Sequence, residues 1–576
     1  MSASGGDRLG VALAGLGART LFTLCGGHIA PILVGAKRAG IRVVDVRDEA
    51  SAVFAADATA RLGGGLGVAA VTAGPGVTNA VTAIANAAEA QSPLLVLGGA
   101  APTVLRGRGA LQDIEQVPML RPHVRWTAAA RRVRELVPLL QRAVHEATRG
   151  VPGPAYLEVP VDVLYDERTV RDWYGAGAGS ARDLGARLQR WYLGRHLDRM
   201  FAGADREDPP PAPPAAEREP DAGTVRRTGE LLARATRPVL VIGSQAMLAP
   251  TRVGAVAAAV GRLGIPTYLS GMARGLLGRD HPLALRHARR AALREADLVI
   301  LAGVPCDFRL DYGRHIARGA TLVAANRSRG EARRNRRPTL TAVGDAGRFL
   351  ELLGAAGATG QWNDWRTTLT ARDAERTAGI TTLAERRGAH VNPLVLCRMI
   401  EDLAAEDSVF VLDGGDFAAT ASYIIAPRGP LRHLDPGVFG TLGVGAGFAL
   451  AAKRHRPDAE VWLLYGDGAA AYSLAEFDTM VRHGLPVIAV VGNDAAWTQI
   501  AREQLPILGD DVGTVLRRTD YHTVAEGYGG VGVLARTTDE VRPALVRAQT
   551  EARAGRPVLV NVWLDPTDFR KGSISM

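Results

Sequence analysis

Short apolar runs alternate with stretches of helical periodicity along most of the chain. The clearest case is a run of apolar residues at 461–465 that ends at Gly466-Asp467-Gly468, followed by a helical stretch and a second apolar run at 487–491. Two buried runs joined by an amphipathic helix are typical of a parallel sheet. The pattern predicts a strand–helix–strand unit that places Asp467 and the pair Asn493-Asp494 at the same edge of the sheet.

The same alternation recurs in three parts of the chain and predicts three consecutive α/β domains with parallel sheets. We expect an N-terminal domain with a helical extension at 1–205, a proline-rich linker at 206–223, a central domain at 224–355 and a C-terminal domain at 375–576. Further apolar runs predict buried strands in these domains, at 21–24, 41–46, 67–71, 93–97, 238–242, 298–302, 321–325, 409–412 and 558–563.

The polar residues at 466–468 and 493–494 suit a magnesium diphosphate. Mg²⁺ takes hard oxygen ligands, usually one or two side chains together with phosphate oxygens and water. Asp467 would supply one ligand, and Asn493 or Asp494 another. Gly466 and Gly468 let backbone N–H groups approach phosphate oxygens, and a helix N-terminus favours an anion. Gly-Asp-Gly alone also fits an ordinary turn, so the prediction depends on the whole pattern.

Composition narrows the class of protein without naming it. The net charge of +10 comes with no recognised nucleic-acid-binding motif, and it fits a site for anionic cofactors or substrates. The three cysteines are far apart, so neither a disulfide framework nor a metal site follows from their spacing. We find no apolar run long enough to cross a membrane and no signal-peptide pattern, and we expect a cytoplasmic protein.

The segment from Gly466 to Ala496 resembles the thiamine diphosphate motif of the acetolactate synthase superfamily, and the resemblance extends over nearly the whole chain. It implies three domains: a pyrimidine-binding domain, a central domain and a diphosphate-binding domain. It also implies thiamine diphosphate and Mg²⁺ as cofactors. The family usually ends the motif with Asn-Asn. Asp494 stands at the usual side-chain ligand and Ala496 at a backbone carbonyl ligand, yet both Asn493 and Asp494 stay open as ligands. Other implied cofactor contacts are Gly415, Asp416, Leu442, Gly466, Asp467, Gly468 and Ala469.

Glu49 stands where a predicted strand passes into a helix. By spacing alone, a glutamate favoured by the dipole of a first helical turn is the simpler interpretation. The stretch 48–79, however, resembles the pyrimidine-binding domain of the same superfamily. The resemblance implies that Glu49 bonds N1′ of the aminopyrimidine and thereby promotes loss of the thiazolium C2 proton, and that Asn79 contacts the cofactor. Gln112 and His28 are further catalytic candidates, although a surface glutamine and a packed histidine fit these positions as well.

The sequence of the central domain gives a weaker indication of what that domain binds. Its relatives bind FAD in some members, ADP in others and neither in the rest, so the resemblance leaves its occupant open. No strict dinucleotide fingerprint follows a strand here. Arg274, Arg286, Arg289 and Arg290 could bind phosphate, but a solvated face is the more ordinary interpretation. The basic run 327–337 likewise reads as a solvated loop, with a coenzyme A phosphate contact as the alternative.

Several stretches are more specific than the superfamily pattern, among them 22–29, 271–278, 306–310 and 492–500. They resemble the acetolactate synthase-like family that is also described as a second type of 2-hydroxyacyl-CoA lyase. That resemblance implies cleavage of a 2-hydroxyacyl-CoA to an aldehyde and formyl-CoA by a homodimer or homotetramer. An acetolactate synthase acting on 2-oxoacids and an oxalyl-CoA decarboxylase remain alternatives, because all three reactions need Glu49 and the same metal site.

Overall fold

Three six-stranded sheets, all of parallel strands, form the framework of the protein. The computed structural model describes residues 4–63, 65–177, 184–210, 217–357 and 360–570. The chain divides into two compact units: the first, 1–60 with 65–215, holds the first sheet, and the second, 61–64 with 216–576, holds the other two. The expectation of three α/β domains with parallel sheets is confirmed.

The first sheet has the strand order β2-β1-β3-β4-β6-β5. Its strands are β1 (Thr20–Thr23), β2 (Arg42–Asp45), β3 (Gly67–Val71), β4 (Leu94–Ala100), β5 (Trp126–Ala129) and β6 (Pro154–Pro160). The surrounding helices are α1 (Gly5–Gly15), α2 (Ala30–Arg38), α3 (Glu49–Gly63), α4 (Pro75–Glu89), α5 (Gln116–Leu120), α6 (Leu136–Thr148), α7 (Glu167–Gly177) and α8 (Leu184–Phe201). The strand order reverses between β1 and β3, which is where open α/β sheets bind ligands.

The second sheet has the order β12-β11-β10-β7-β8-β9. Its strands are β7 (Pro238–Ile242), β8 (Thr267–Leu269), β9 (Ala284–Leu285), β10 (Leu298–Ala302), β11 (Thr321–Asn326) and β12 (Leu340–Val343). The accompanying helices are α9 (Ala222–Arg234), α10 (Val253–Leu263), α11 (Arg289–Glu295), α12 (Arg329–Ala332) and α13 (Ala346–Ala355). This is the doubly wound order of dinucleotide-binding sheets.

The third sheet repeats the order of the first, as β14-β13-β15-β16-β18-β17. Its strands are β13 (Val409–Leu412), β14 (His433–Leu434), β15 (Val461–Gly466), β16 (Ile488–Asn493), β17 (Val531–Ala535) and β18 (Val558–Trp563). The helices are α14 (Asn363–Ala384), α15 (Pro393–Leu403), α16 (Asp416–Ile424), α17 (Val444–His455), α18 (Asp467–Ala470), α19 (Glu476–His483), α20 (Thr498–Leu508), α21 (Tyr521–Gly527) and α22 (Thr538–Arg553). The order reverses between β13 and β15.

Burial follows the apolar runs closely. Every residue of β3, β7, β10 and β13 is buried, as a strand covered by helices on both faces requires. No helix in the described ranges is both long and apolar enough to span a membrane. Part of the predicted linker (211–216) and the final residues 571–576 lie outside the described residues.

Candidate active site

Glu49 is the first residue of α3, directly after the turn that follows β2. Its side chain is buried, with 6% of the residue exposed. Asn79 Nδ2, from α4, donates a hydrogen bond to Glu49 Oε2 at 3.1 Å. A Cβ atom at Gly76 would lie 3.3 Å from Glu49 Oε1, so glycine keeps that side of the carboxylate open. The structure thus brings together two of the predicted residues and presents a buried carboxylate with one oxygen held by an amide.

His28 and Gln112 also come together, although they lie far apart in the sequence. The Gln112 side chain hydrogen-bonds to His28, and Thr72 Oγ1 lies 3.4 Å from His28 Nδ1. Burial lowers the pKa of His28, and the bond with Gln112 opposes this shift only in part. Since the usual histidine pKa is already near 6.5, His28 is neutral at pH 7 and offers one donor and one acceptor.

The loop after β3 joins these groups into one cluster. Gly74 has φ 63°, and a Cβ atom there would lie 2.8 Å from the carbonyl oxygen of Gln112. A Cβ atom at Gly76 would crowd both Thr72 and Glu49. The two glycines are therefore required by close approach, and they place Glu49, Thr72 and Gln112 around one short loop.

Gln116 is a site residue that the sequence did not reveal. Its Oε1 accepts the Gly74 N–H at 2.8 Å, and its Nε2 donates to the Gly99 carbonyl at 3.0 Å and to Glu158 Oε2 at 2.9 Å. Arg106 pairs with the other oxygen of Glu158 at 3.0 Å. This buried network fixes the loop that carries Gly74. No local motif indicates this network, because the partners of Gln116 come from the loop after β3 and from strands β4 and β6.

In the second unit, Asp467 follows β15, and the pair Asn493-Asp494 ends β16. Gly466 is in register with Gly492 on the neighbouring strand, so the acidic side chains emerge at one sheet edge, as predicted. Asp467 is 2% exposed; its Oδ1 accepts the Gly468 N–H at 2.8 Å. Its Oδ2 is buried and has no hydrogen-bond partner among the described residues. This buried, unpartnered carboxylate oxygen is suited to bind a cation.

The pKa values of Asp467 and Asp494 also fit a cation at this position. Burial, together with the charge of Asp494, raises the pKa of Asp467 to about 7. Burial also raises the pKa of Asp494, whose Oδ2 accepts a short hydrogen bond from Thr498 Oγ1. Asp467 is buried and Asp494 is partly buried, and two such carboxylates that repel each other are stabilised by a cation between them. The residues present therefore fit a divalent metal ion.

The backbone that follows Asp494 lies close to Asp467 and fits around a metal ion. Ala495 has φ 60°, a left-handed conformation that is uncommon for alanine, and the backbone N–H groups of Ala495 and Ala496 lower the pKa of Asp467 in opposition to burial. Trp497 lies so close to Gly468 that a Cβ atom there would be 2.5 Å from the indole ring. Within the described residues, no group of three or more His, Cys, Asp or Glu side chains converges. A cation here would complete its shell with backbone carbonyls, phosphate and water, as Mg²⁺ does.

Asn493 has a different environment from Asp494. Its Nδ2 donates to the Thr519 carbonyl and to Asn561 Oδ1, each at 3.2 Å, and Asn561 Nδ2 donates to the same carbonyl at 3.0 Å. Asn493 is fully buried, and its Oδ1 has no partner in the described part of the chain. The amide group thus joins the ends of β16 and β18, whereas the charge of Asp494 acts on Asp467.

Two loops complete this edge. Asp413 accepts hydrogen bonds from the N–H groups of Gly414, Gly443 and Gly445 at 2.7–3.0 Å, and burial raises its pKa to about 6. It thereby fixes the loop that carries Leu442. A Cβ atom at Gly414 would lie 2.3 Å from Leu442 Cδ2, so glycine allows Leu442 to cross the loop. The sequence did not assign this role to Asp413.

The remaining predicted residues are Asp416, which forms an ion pair, and the small residues Gly466, Gly468 and Ala469. Asp416, just after Gly415, forms a bidentate ion pair with Arg502 at 2.8 Å for both contacts. This pair ties the start of α16 to α20. Gly466 ends β15, and Gly468 and Ala469 lie buried in the short helix α18. All of these residues lie near the carboxyl edge of the third sheet.

One parallel sheet carries two neighbouring carboxylates at its carboxyl edge, and a second parallel sheet carries a buried glutamate; these features point to the class of protein. The N-terminal, central and C-terminal domain models of thiamine pyrophosphate enzymes match residues 3–119, 225–353 and 413–562. The chain belongs to this family, and it is an enzyme that uses thiamine diphosphate.

Individual relatives are similar over almost the full length. The chain is 50% identical to 2-hydroxyacyl-CoA lyase 2 of Bos taurus, over 99% of this chain and 92% of the relative. It is 49% identical to the protein of the same name from Homo sapiens, with the same coverage. A probable acetolactate synthase of Mycobacterium bovis is 36% identical, over 96% of this chain and 94% of the relative.

Proposed function

We propose that this enzyme is a Mg²⁺-dependent lyase that cleaves a 2-hydroxyacyl-CoA to an aldehyde and formyl-CoA. The observation that carries the proposal is the 50% identity, over 99% of the chain, to a protein named 2-hydroxyacyl-CoA lyase 2. The acetolactate synthase named above reaches 36%. In the proposed reaction the C1–C2 bond of the acyl group breaks. The hydroxyl proton leaves as the aldehyde forms, and C1 gains a proton and departs as formyl-CoA.

Thiamine diphosphate, when bound, supplies a carbanion nucleophile and an electron sink. We assign to Glu49 the bond to N1′ of the aminopyrimidine, with Asn79 holding the carboxylate in place. His28, neutral at pH 7 and hydrogen-bonded to Gln112, would hold or pass a proton at the substrate. These roles need a buried carboxylate and a neutral imidazole, and both are present.

We assign the metal to Asp467, Asp494 and the Ala496 carbonyl. The repulsion between the two carboxylates and the orphaned Asp467 Oδ2 support this choice. Asn493, which the sequence left open as a ligand, also has an unpartnered oxygen, but it carries no charge and its amide nitrogen joins β16 to β18, so we assign the ligand to Asp494. The residues we expect around the diphosphate and thiazolium are Gly415, Asp416, Leu442, Gly466, Gly468 and Ala469.

The assignment of Asp494 predicts a difference between two substitutions. Asp494→Asn keeps an oxygen ligand, so we expect Mg²⁺-dependent activation to persist with the half-saturating Mg²⁺ concentration raised about tenfold or less. Asp494→Ala removes the ligand, and activation should be lost. Mg²⁺ titration of activity measures both. If the alanine variant responds to Mg²⁺ like the wild type while Asn493→Ala, still folded, does not, the ligand assignment is reversed.

A product assay tests the reaction itself. Purified protein with thiamine diphosphate and Mg²⁺ is offered a 2-hydroxyacyl-CoA in one sample, pyruvate in a second and oxalyl-CoA in a third. We expect aldehyde and formyl-CoA, or formate after its hydrolysis, from the first sample alone. Acetolactate from pyruvate, or formyl-CoA and carbon dioxide from oxalyl-CoA, would each overturn the lyase proposal and leave the enzyme class unchanged.

We expect the active form to be a homodimer or homotetramer, as the superfamily resemblance implies. Light scattering on the purified protein would then give two or four times the chain mass of 60.8 kDa. A monomer with full activity would contradict this expectation.

A further inference from the structure

The loop that carries Gln112, residues 101–115 between β4 and α5, has a strained backbone. Gly107 has φ 70° and Gly109 has φ 78°, and Gln112 itself has φ 64°. Glycine adopts this left-handed region freely, but for a glutamine it costs free energy. Such a conformation persists only where surrounding contacts fix it. The contacts that hold this segment, which we call the Gln112 loop, therefore decide where the Gln112 side chain lies.

The start of the Gln112 loop is held by a buried carboxylate. Asp162 follows β6 and is 1% exposed. Its Oδ2 accepts the Thr103 N–H at 2.9 Å, the Thr103 hydroxyl at 2.6 Å and the Tyr174 hydroxyl of α7 at 2.8 Å. His196 of α8 lies close to the same hydroxyl, with 2.7 Å between its Nε2 and Thr103 Oγ1. The helical extension α7–α8 thus supports the beginning of the loop.

The middle and the end of the Gln112 loop are held by a second buried carboxylate, Glu158 of β6. Gln116, where α5 begins, donates to Glu158 Oε2 at 2.9 Å. Arg106, within the loop, pairs with Glu158 Oε1 at 3.0 Å. The Glu158 side chain is 2% exposed and that of Arg106 is 34% exposed. An unpaired buried carboxylate is strongly destabilising, so Glu158 holds Arg106 and, through it, the middle of the loop.

Gln112 lies between this ion pair and His28. A cavity of only about 10 Å³ is lined by Gln112, Arg106, Gln116 and Glu158, together with other residues of the loop and of β6. That volume is about the least that one water molecule needs, so the loop packs against Glu158 with little free space. The Gln112 side chain also hydrogen-bonds to His28. A change in the position of Arg106 is therefore expected to move Gln112 relative to His28.

We propose that Arg106 and Glu158 are positioning residues, whose ion pair holds the Gln112 loop so that the Gln112 side chain meets His28. The proposal rests on the roles proposed above for Gln112 and His28, and it extends them to two residues that act through Gln112. The sequence assigned no role to Arg106 or Glu158. Without the ion pair the loop keeps its attachments at both ends, but its strained centre is free to relax, and the contact with His28 is lost.

A double-mutant cycle on kcat/KM tests whether the ion pair acts through Gln112. Glu158→Gln removes the charge that holds Arg106 and keeps an oxygen for Gln116. We expect Gln112→Ala and Glu158→Gln each to lower kcat/KM by about tenfold or more, and the double variant to lose no more than Gln112→Ala alone. Arg106→Lys keeps the charge and should stay within about threefold of the wild type. Arg108→Gln, at an exposed position of the same loop, is the matched control and should equal the wild type.

Limited trypsin digestion gives a second measurement that needs no turnover. Arg108 is exposed, so the rate of cleavage after it reports how often the Gln112 loop detaches. We expect this cleavage to be about fivefold faster or more in Glu158→Gln and Arg106→Gln than in the wild type. Cleavage after Arg149, an exposed residue outside the loop, is the internal reference and should not change.

Three outcomes would overturn the positioning proposal. The first is that the losses caused by Gln112→Ala and Glu158→Gln multiply in the double variant. The second is that the folded Glu158→Gln and Arg106→Gln variants match the control in kcat/KM or in cleavage after Arg108. The third is a Gln112→Ala variant with the kcat/KM of the wild type, since Gln112 would then need no positioning. If Glu158→Gln does not fold, Arg106→Gln completes the same cycle.

The cycle and the product assay fail independently. The products identify the reaction, and the cycle is measured on whichever reaction they identify. A substrate other than a 2-hydroxyacyl-CoA would therefore overturn the lyase proposal and leave the coupling between Glu158 and Gln112 to be decided by its own result.

Discussion

Glu49→Gln lowers kcat/KM by about 10²–10⁴-fold and leaves the protein folded. Glutamine has nearly the same shape, and its Oε1 can accept the hydrogen bond that Asn79 now donates to the carboxylate. It cannot carry the negative charge that the proposed bond to N1′ of the aminopyrimidine requires. The loss should therefore fall on the chemical step, which single-turnover kinetics with saturating thiamine diphosphate would isolate.

Glu89→Gln is the control for this result. Glu89 is the last residue of α4 and is exposed, so the same change of charge there should leave kcat/KM within about twofold of the wild type. Circular dichroism and the thermal midpoint show whether both variants are folded. A folded Glu49→Gln enzyme with near-wild-type turnover would remove Glu49 from the mechanism.

Asp467→Asn makes the metal-free protein more stable above neutral pH and weakens its activation by Mg²⁺, because the amide keeps an oxygen ligand but loses the charge. The pKa of Asp467 is raised to about 7, whereas an unfolded aspartate ionises near 4. Between these values the folded carboxyl keeps its proton while the unfolded one loses it, so the free energy of unfolding falls as pH rises from about 4 to 7. Asparagine removes both this loss and the repulsion from Asp494. At pH 8 we expect a higher thermal midpoint, by roughly 2–4 °C for each kcal/mol relieved.

Calorimetric melting at pH 5 and pH 8, with and without Mg²⁺ and thiamine diphosphate, checks both halves of the prediction. The two cofactors should stabilise the wild type more at pH 8 than at pH 5, because the metal ion competes with the proton on Asp467. They should stabilise the Asp467→Asn variant less than the wild type at pH 8, and without this dependence on pH. Asp458→Asn, at an exposed position before β15, is the control and should behave like the wild type. A folded Asp467→Ala enzyme that is still activated by Mg²⁺ like the wild type would exclude Asp467 as a ligand.

The strands that the sequence predicted best are those buried on both faces. Pro238–Ile242, Leu298–Ala302 and Val409–Leu412 begin and end where the apolar runs do, because a covered strand needs an apolar side chain at nearly every position. The strands that the pattern missed are short or partly exposed, such as Trp126–Ala129, in which no residue is fully buried, and the two-residue strand Ala284–Leu285. Their positions are set by pairing with a neighbour.

The local motifs were also readable from the sequence. Asp467 and Asp494 are carried by one strand–helix–strand unit, so their approach follows from the parallel register of Gly466 with Gly492. Asn493 shows the limit of this reasoning. Its main side-chain partner, Asn561, is 68 residues away, and no local pattern relates the two. The same is true of Gln116 and Glu158, whose hydrogen bond depends on the packing of α5 against β6.

By itself, then, the sequence determined the three parallel sheets, the acidic residues at the edge of the third and the glutamate at the start of α3. Each of these follows from periodicity or from a short motif, and both are local properties of the chain. The tertiary structure alone decided that Asp494 repels the charge of Asp467, and it alone joined Gln116 to Glu158. Both outcomes depend on contacts between segments distant in sequence, because burial and charge pairing act through space.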